Sequence, residues 1–457
     1  MFAMKVRKRN SGILRKAAAL ILCLFLTEGA AWPGALRVQA DNSGAAEQEE
    51  TNIPEAAGSG ETLYSRYEAE VDAPDSGEYE ITVEYVQPQD NTRDILIDVE
   101  INGSLPFEEA EGISLPRIYK NNGGIRTDAN GNEIAPAQVM VLEPVSHTLM
   151  STSGFYEGNY QFPMNKGENK IEILCTNTNV EILGVSIAPK KEVPSYEEYL
   201  NAHPGTDTSG KCMVIQGELA KEKTTSMLYP TYDRNNAATQ SADGSLNSPS
   251  VIRINTAGGE RWKQTGQWMS WDVEVEESGY YNLGFKYRQR FKDGLFTSRK
   301  VYIDGEVPFE AMEGIRFVYD EEWQILTLAD EEGEAYRIWL EQGTHTVRME
   351  VTMGIFADSL RNINSCVQKL NDLYLEIVMI TGTSPDSYTD YFLKERVENL
   401  EQTLQESRDL LLEELDYITS VTGGKGSATS AIDTMQVQLG IVLKDPEEIS
   451  QRLGSMQ

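Results

Sequence analysis

Cysteine and histidine are scarce in this chain, four and three among 457 residues. Outside the N-terminal leader only Cys175, Cys212 and Cys366 remain, far apart and without a CxxC pair. Neither a disulfide framework nor a thiolate zinc site has raw material here. Cys175 ends the apolar run Ile171-Glu172-Ile173-Leu174-Cys175 and reads as a buried free thiol. His147, His203 and His345 are too dispersed for a histidine metal site or a histidine-based catalytic set. No GxSxG, P-loop or GxGxxG in a βαβ setting occurs. Neighbouring carboxylates such as Glu108-Glu109 and Asp320-Glu321-Glu322 are expected by chance among 72 acidic residues, and none has a glycosidase pattern. The expectation is a protein that is not an enzyme.

Basic residues are also few, 40 against 72 acidic, giving a formal charge of -32. Such a mean field repels nucleic acid, so no nucleic-acid partner is expected. Long apolar runs are missing too. The stretch Ala17–Leu26 is half the roughly 20 residues needed to span a bilayer. Lys5, Arg7, Lys8, Arg9, Arg15 and Lys16 precede it, and Val38-Gln39-Ala40 follows. Residues 1–40 therefore read as a secretory signal, and the protein as exported, extracellular or held at the cell surface. A lipid anchor on Cys23 is the alternative, although the bulky Leu22 stands where lipoprotein signals carry a small residue.

What the chain does have is a repeat at an offset of 202. Ser76-Gly77, Tyr79, Tyr85, Ile101-Asn102-Gly103, Pro106-Phe107-Glu108 and Glu111-Gly112-Ile113 recur as Ser278-Gly279, Tyr281, Tyr287, Ile303-Asp304-Gly305, Pro308-Phe309-Glu310 and Glu313-Gly314-Ile315. A period this long means two homologous domains, not a solenoid. Alternating strands with Asn-Gly and Asp-Gly turns make each a β-sandwich. The predicted fold is mainly β with a C-terminal α region: two tandem jelly-roll-like sandwiches, then a helical bundle.

The polar segment 41–60 reads as a flexible linker. The first sandwich covers 61–190, a connector 191–210, the second sandwich 211–354 and a helical region 355–457. Subtracting 202 from Met213–Trp268 lands in the leader and linker. The first sandwich is thus expected to be reduced, or to borrow strands from its neighbour. Ile113 to Gly167 is 54 positions against 28 from Ile315 to Gly343, which marks a loop-rich insertion in the first unit. Within it Asp128-x-Asn130-x-Asn132 lacks the glycine and glutamate of a calcium loop and reads as an Asn-Gly turn. In the helical region Leu360, Ile363, Val367, Leu370, Tyr374 and Ile377 form a heptad seam. Further helices follow through Val397–Ile418, Ile432–Val442 and from Asp445-Pro446.

Five of the six tryptophans lie in the second sandwich. Aromatic faces on a sandwich suit the C–H face of a pyranose, while charged groups fix its hydroxyls. Alternation puts Trp271 in the core with Met269, Val273 and Val275, and Trp268 on the polar face; Trp339 fits either side. Trp262 and Trp323 sit in loops and are the better ligand candidates. In Phe285-Lys286-Tyr287-Arg288-Gln289-Arg290 the aromatics point inward and three cations outward. Arginine forks there fit either surface ion pairs or carboxylate-bearing sugars. The loop Tyr229-Pro230-Thr231-Tyr232-Asp233-Arg234 admits the same two readings. Candidate carbohydrate contacts are Tyr229, Arg234, Trp262, Trp268, Arg288, Arg290 and Trp323; no metal ligand and no cofactor are assigned.

The second unit's Val214-Ile215-Gln216-Gly217-Glu218, Leu228-Tyr229-Pro230-x-Tyr232-Asp233-Arg234 and Gly266-Gln267-Trp268 are similar to segments of large extracellular solute-binding proteins of Gram-positive ABC transporters. So are Ile303-Asp304-Gly305-Glu306-Val307-Pro308-Phe309 and Ile380-Thr381-Gly382-Thr383-x-Pro385-Asp386. The resemblance covers about 61–457. It implies galactose-binding-like, carbohydrate-binding-module-like sandwiches ahead of helices and a two-lobed solute-binding domain, with an oligo- or polysaccharide ligand and the permease or solute-binding domain as partner. Related modules carry structural calcium at a Glu-x-Glu start. Tyr67-Glu68-Ala69-Glu70 aligns by the 202 offset with Met269–Asp272, a later strand, so no calcium site is expected at Glu68 or Glu70. Two other classes stay open: a cell-surface docking module that binds no sugar, and the targeting part of a glycoside hydrolase.

Overall fold

The structure, a computed structural model, describes residues 65–208, 212–236, 251–386, 388–446 and 449. The segments read from sequence as a secretory signal, 1–40, and as a linker, 41–60, lie outside these residues. The architecture is mainly β with a C-terminal helical region.

The first sandwich opens with β1 (Ser65–Ala73), β2 (Gly77–Val86), β3 (Ile95–Ile101) and β4 (Ile113–Leu115). Alternation drives their placement. Tyr79, Ile81, Val83 and Tyr85 of β2 face inward, and so do Ile95, Ile97, Val99 and Ile101 of β3. A one-residue slip would turn either set to solvent, which pins the register. The chain then leaves the sandwich as the insertion, carrying β5 (Tyr119–Asn121), β6 (Arg126–Thr127), β7 (Glu133–Ile134) and β8 (Gln138–Met140). It returns as β9 (Val145–Thr148), β10 (Phe162–Met164), β11 (Gly167–Cys175) and β12 (Glu181–Pro189). One sheet runs β1-β11-β3-β4; the other runs β10-β2-β12, with β9 also along β2. Strand β12 seals one side of β2 from Tyr79 to Val86.

The second unit begins at α1 (Tyr196–Ala202), started by a capping box between Ser195 and Glu198. Sequence reading places this helix in the connector; its Tyr199 is buried in the second core and its hydroxyl accepts from the Trp339 N–H at 2.9 Å. The strands are β13 (Glu222–Lys223), β14 (Trp268–Val275), β15 (Gly279–Tyr281), β16 (Gly284–Tyr287), β17 (Phe296–Ile303), β18 (Ile315–Val318), β19 (Gln324–Thr327), β20 (Ile338–Leu340) and β21 (Gly343–Thr352). The repeat holds down to its turns. Asn102-Gly103 and Asp304-Gly305 have φ of 54° and 79°, and 54° and 88°, the doubly positive geometry of a type I′ hairpin. Strands β14, β21, β17 and β18 reproduce β1, β11, β3 and β4; β19 and β20 stand where β9 and β10 do.

The counterpart of β12 is missing among the described residues. On that side of β15 there is only a bridge from Asp207 to Tyr280. Ile81, Val83 and Tyr85 are 0% exposed, whereas their equivalents Leu283, Phe285 and Tyr287 are half-buried. Among the described residues, then, the first sandwich carries a strand along β2 that the second lacks along β15 and β16. Lending also runs the other way. Strand β13 pairs β14 on one side and β5 of the insertion on the other, so a seven-stranded sheet β18-β17-β21-β14-β13-β5-β8 joins the two units.

Three long helices follow: α2 (Ala357–Thr381), α3 (Leu400–Thr422) and α4 (Ser430–Val442). The seam of α2 is broader than a strict heptad. Cys366 and Leu373 join Leu360, Ile363 and Ile377 as fully buried, while Val367 and Leu370 flank them. Their core continues into the second sandwich through Leu295, Phe296, Met353 and Phe356, with the Phe296 and Phe356 rings stacked at 4.6 Å. At this contact the backbones of Gly294 and Gly426 meet; a Cβ on Gly426 would stand 3.0 Å from the Asp293 carbonyl oxygen.

Candidate functional site

Four of the seven candidate residues come together on the open side of the second sandwich. Strand β16 sets the geometry: Phe285 and Tyr287 turn edge-on to Phe317 at 5.7 and 4.8 Å, which leaves Lys286 exposed on the other face and Arg288, just past the strand, 8% exposed at its side chain. The loop after the buried Leu228 comes over this face. Asp233 accepts its own loop's Asn235 N–H at 2.8 Å and an Arg288 guanidinium N–H at 2.6 Å. Lys286 donates to the Asn236 side-chain oxygen and lies 5.6 Å from the Trp323 ring centre. Burial raises the Asp233 carboxyl, but the Asn235 N–H, Arg288 and Arg290 outweigh it and hold the group below its ordinary value. Arg234 and Arg290 are exposed beside it, with no ion pair among the described residues, and Tyr232 is 44% exposed. Trp323 is half-buried, with its indole N–H enclosed and lacking a protein acceptor among the described residues. A cavity of about 2270 Å³ adjoins the face, and Asp233, Phe285, Lys286, Arg288, Trp323 and Val347 are among the residues that line it.

The other three candidates lie elsewhere. The Tyr229 ring is covered by the Arg261 guanidinium at 4.1 Å. Trp262 lines the cavity wall, but its N–H donates to the Gln267 carbonyl at 3.1 Å and its face carries the buried Arg299 at 4.4 Å. Burial without a carboxylate partner pushes Arg299 down to about 10. Trp262 is a packing residue, and the loop position that pointed to a ligand reflects a bend into the core. Trp271 is 9% exposed and donates to the Gly217 carbonyl at 3.0 Å.

Trp268 belongs to the junction between the sandwiches. Arg348 lies 5.5 Å from its ring and 3.8 Å from that of Tyr302. Tyr302 donates to the buried Glu350 at 3.2 Å, and burial raises the Glu350 carboxyl. From the first sandwich, Glu157 accepts the Gly354 N–H at 3.0 Å and the Thr352 hydroxyl. His147 also faces this junction; enclosure, with Arg348 adding, pushes it down to about 3. The polar face of β14 expected from alternation is therefore a face toward protein.

Asp128 is turn chemistry: its carboxylate accepts the Asn130 and Asn132 N–H groups, both at 2.8 Å. Glu68 is ion-paired to Lys170 at 2.9 Å and to Arg66 at 3.0 Å, and Lys170 chiefly holds it below its ordinary value. No group of three potential metal ligands occurs among the described residues. Sequence reasoning missed Asn236 and Asn255, which tie loop 231–236 to residues 252–256, because their partners are set by distant segments.

Residues 358–457 match the model of the bacterial solute-binding protein four-helix bundle domain. No curated protein matches the chain. Among solved structures, a family 35 carbohydrate binding module from Clostridium thermocellum matches at 17% identity and TM-score 0.17, over 21% of this chain and 66% of that one. A Paenibacillus sp. cycloisomaltooligosaccharide glucanotransferase complexed with cycloisomaltoheptaose matches at 18% and 0.22, over 33% of this chain and 17% of that one. The cycloalternan-forming enzyme from Listeria monocytogenes, in complex with a pentasaccharide substrate, matches at 10% and 0.21, over 63% of this chain and 18% of that one. The helical region is thus the part that resembles this bundle domain, and the β-sandwiches before it lie outside the match.

Proposed function

We propose that this chain is a non-catalytic, exported carbohydrate-recognition region of an extracellular solute-binding protein, working with a carbohydrate ABC transporter. The glycan lies on the open side of the second sandwich. The observation that carries this reading is Trp323: an indole whose enclosed N–H has no protein acceptor among the described residues, beside a row of cations on an unsealed sheet edge. Its half-buried ring offers a stacking surface for a sugar. Arg234 and Arg290 are placed to bind hydroxyls or carboxylates, while Arg288 is held by Asp233 and orients the loop. The bundle match supports the solute-binding setting, and the basic and apolar leader supports export. A docking role without sugar is the second reading; Ile325, 81% exposed on the strand next to Trp323, favours it.

A glycan array carrying plant polysaccharides, host glycans and uronate oligomers tests both. Retention of one glycan class by the wild-type chain is expected. Trp323→Ala should lower retention about tenfold or more, a loss near ~1.4 kcal/mol, with the melting temperature unchanged. A blank array with protein shown to be folded would replace recognition by docking.

A further inference from the structure

The recognition loop of the second sandwich is held only in part by its own turn, in which Asp233 accepts the Asn235 and Asn236 N–H groups at 2.8 and 3.2 Å, and by Arg288 and Lys286 beneath it. Residues 231–236 form no strand; Thr231 bonds to Thr256 through its N–H at 2.8 Å, and the Asn255 N–H returns to the Thr231 carbonyl at 3.0 Å. The Asn255 side chain accepts the Asp233 N–H at 2.8 Å and donates to the Asp233 carbonyl at 3.0 Å. Asn236 donates to the Asn255 carbonyl at 3.1 Å. The loop is therefore cast against residues 252–256, and those belong to no strand either.

What fixes 252–256 comes from the other unit. The Glu133 carboxylate accepts the Ile254 N–H at 2.7 Å and the Glu133 N–H donates to the Ile252 carbonyl at 3.0 Å. Arg253 lies 3.4 Å from the second Glu133 oxygen. The Asn132 side-chain oxygen accepts the Ile252 N–H at 2.9 Å, while its amide donates to Asp128 at 3.1 Å. Glu133, Ile254, Asn255 and Asn236 are all buried. A buried N–H that loses a carboxylate acceptor has no water to turn to.

We infer that the β6–β7 hairpin of the first sandwich is a strut that sets the shape of the recognition loop in the second. Asp128, Asn132 and Glu133 are its positioning residues, and Asp233 with Arg288 stands at its far end. The inference rests on the recognition reading only for the loop's purpose; the mechanical link stands on these hydrogen bonds. The insertion thereby acquires a role, since without it the face would lack a fixed floor.

Hydrogen exchange on the full chain tests the link, with tetragalacturonate retention as the binding probe. In Glu133→Ala the amides of 231–236 and 252–256 should exchange about tenfold faster or more, while those of β2 stay protected. Asn132→Ala should do the same more weakly, and Trp323→Ala should leave exchange unchanged. If Glu133→Ala does not fold, Asn132→Ala, which removes the acceptor of the Ile252 N–H, is read in its place. Unchanged exchange at 231–236 in the folded variants overturns the strut. Faster exchange together with tetragalacturonate retention lowered about tenfold supports strut and recognition at once. Faster exchange, with a wild type that retains neither tetragalacturonate nor any arrayed glycan, supports the strut and removes the recognition reading.

Discussion

The two sandwiches share turns, strand order and core positions, yet among the described residues one edge is sealed by a strand and its equivalent is not. In the first, β12 runs along β2 from Tyr79 to Val86, and every inward residue of β2 is buried. In the second the same side of β15 and β16 has no strand among the described residues, and loop residues 231–236, cast against 252–256, cover it with polar side chains. A strand satisfies its neighbour's backbone and excludes ligand together; a loop leaves side chains free to meet one. The difference teaches that two copies of one fold can close the same edge in two ways, one with a strand and the other with a loop cast against a neighbouring segment.

The sharpest way to break this comparison is to cut the same residue from both copies. Tyr85 is wholly buried and its hydroxyl donates to the Pro116 carbonyl; Tyr287 is half-buried against Phe317. Tyr85→Ala should cost about 3–5 kcal/mol, in the range of large aromatic truncations, and Tyr287→Ala about half that. Equal losses in urea denaturation would mean that the second core is as closed as the first.

Much of the fold was legible because its signals are local. The 202-residue repeat, the inward alternation of Ile81, Val83 and Tyr85, and the Asn-Gly and Asp-Gly turns depend on neighbours in the chain. The exposure of Lys286 followed from the same period, whereas the Arg288 side chain, expected outward, is 8% exposed against Asp233. What escaped depends on contacts between distant segments. Trp268 lies on a polar face by alternation, but that face meets Arg348 and the first sandwich. Trp262 sits in a loop by pattern, but the loop bends inward beneath Arg299. Nothing near Glu133 announces that its carboxylate closes on Ile254, 121 residues away.

A smaller effect probes how the copies are joined. His147 of the first sandwich is held at about 3, far below its ordinary 6.5, by enclosure and by Arg348 of the second. The unfolded chain therefore binds the proton more readily. Stability from the neutral ring is complete above pH 6.5 and is lost as pH falls toward 3, at about 1.4 kcal/mol per pH unit. Glu350 in the same junction is raised by burial and acts in the opposite sense, favouring the folded state as it protonates. His147→Gln should flatten the acid side of the stability curve by a few kcal/mol between about pH 6.5 and 4. Matching urea midpoints for wild type and variant across that range would show that His147 does not couple the units.

The smallest expected effect separates the copies at their most alike position. Asn102 and Asp304 open the same turn and make the same pair of bonds across it. Asn102 bonds to Lys170 through its backbone N–H at 2.8 Å and its side-chain oxygen at 2.9 Å; Asp304 bonds to Thr346 at 2.9 and 2.8 Å. Asp304 also has a charge partner, His345 at 2.6 Å, whose other ring nitrogen meets the Glu341 carbonyl at 2.8 Å. Desolvation lowers His345, but Asp304 and the Glu341 carbonyl outweigh it and raise it above 6.5. A raised histidine stabilises the fold fully below 6.5, and the contribution disappears as pH climbs through the folded value. Asp304→Asn keeps the turn and the Thr346 acceptor, since Asn102 already forms the same bonds in the first copy. It should therefore cost under about 1 kcal/mol at about pH 6, because Asp304 is half exposed to screening solvent, and almost nothing at about pH 9. A loss of the same size at both values would place the role of Asp304 in the backbone of the turn, and the two copies would then be equivalent there after all.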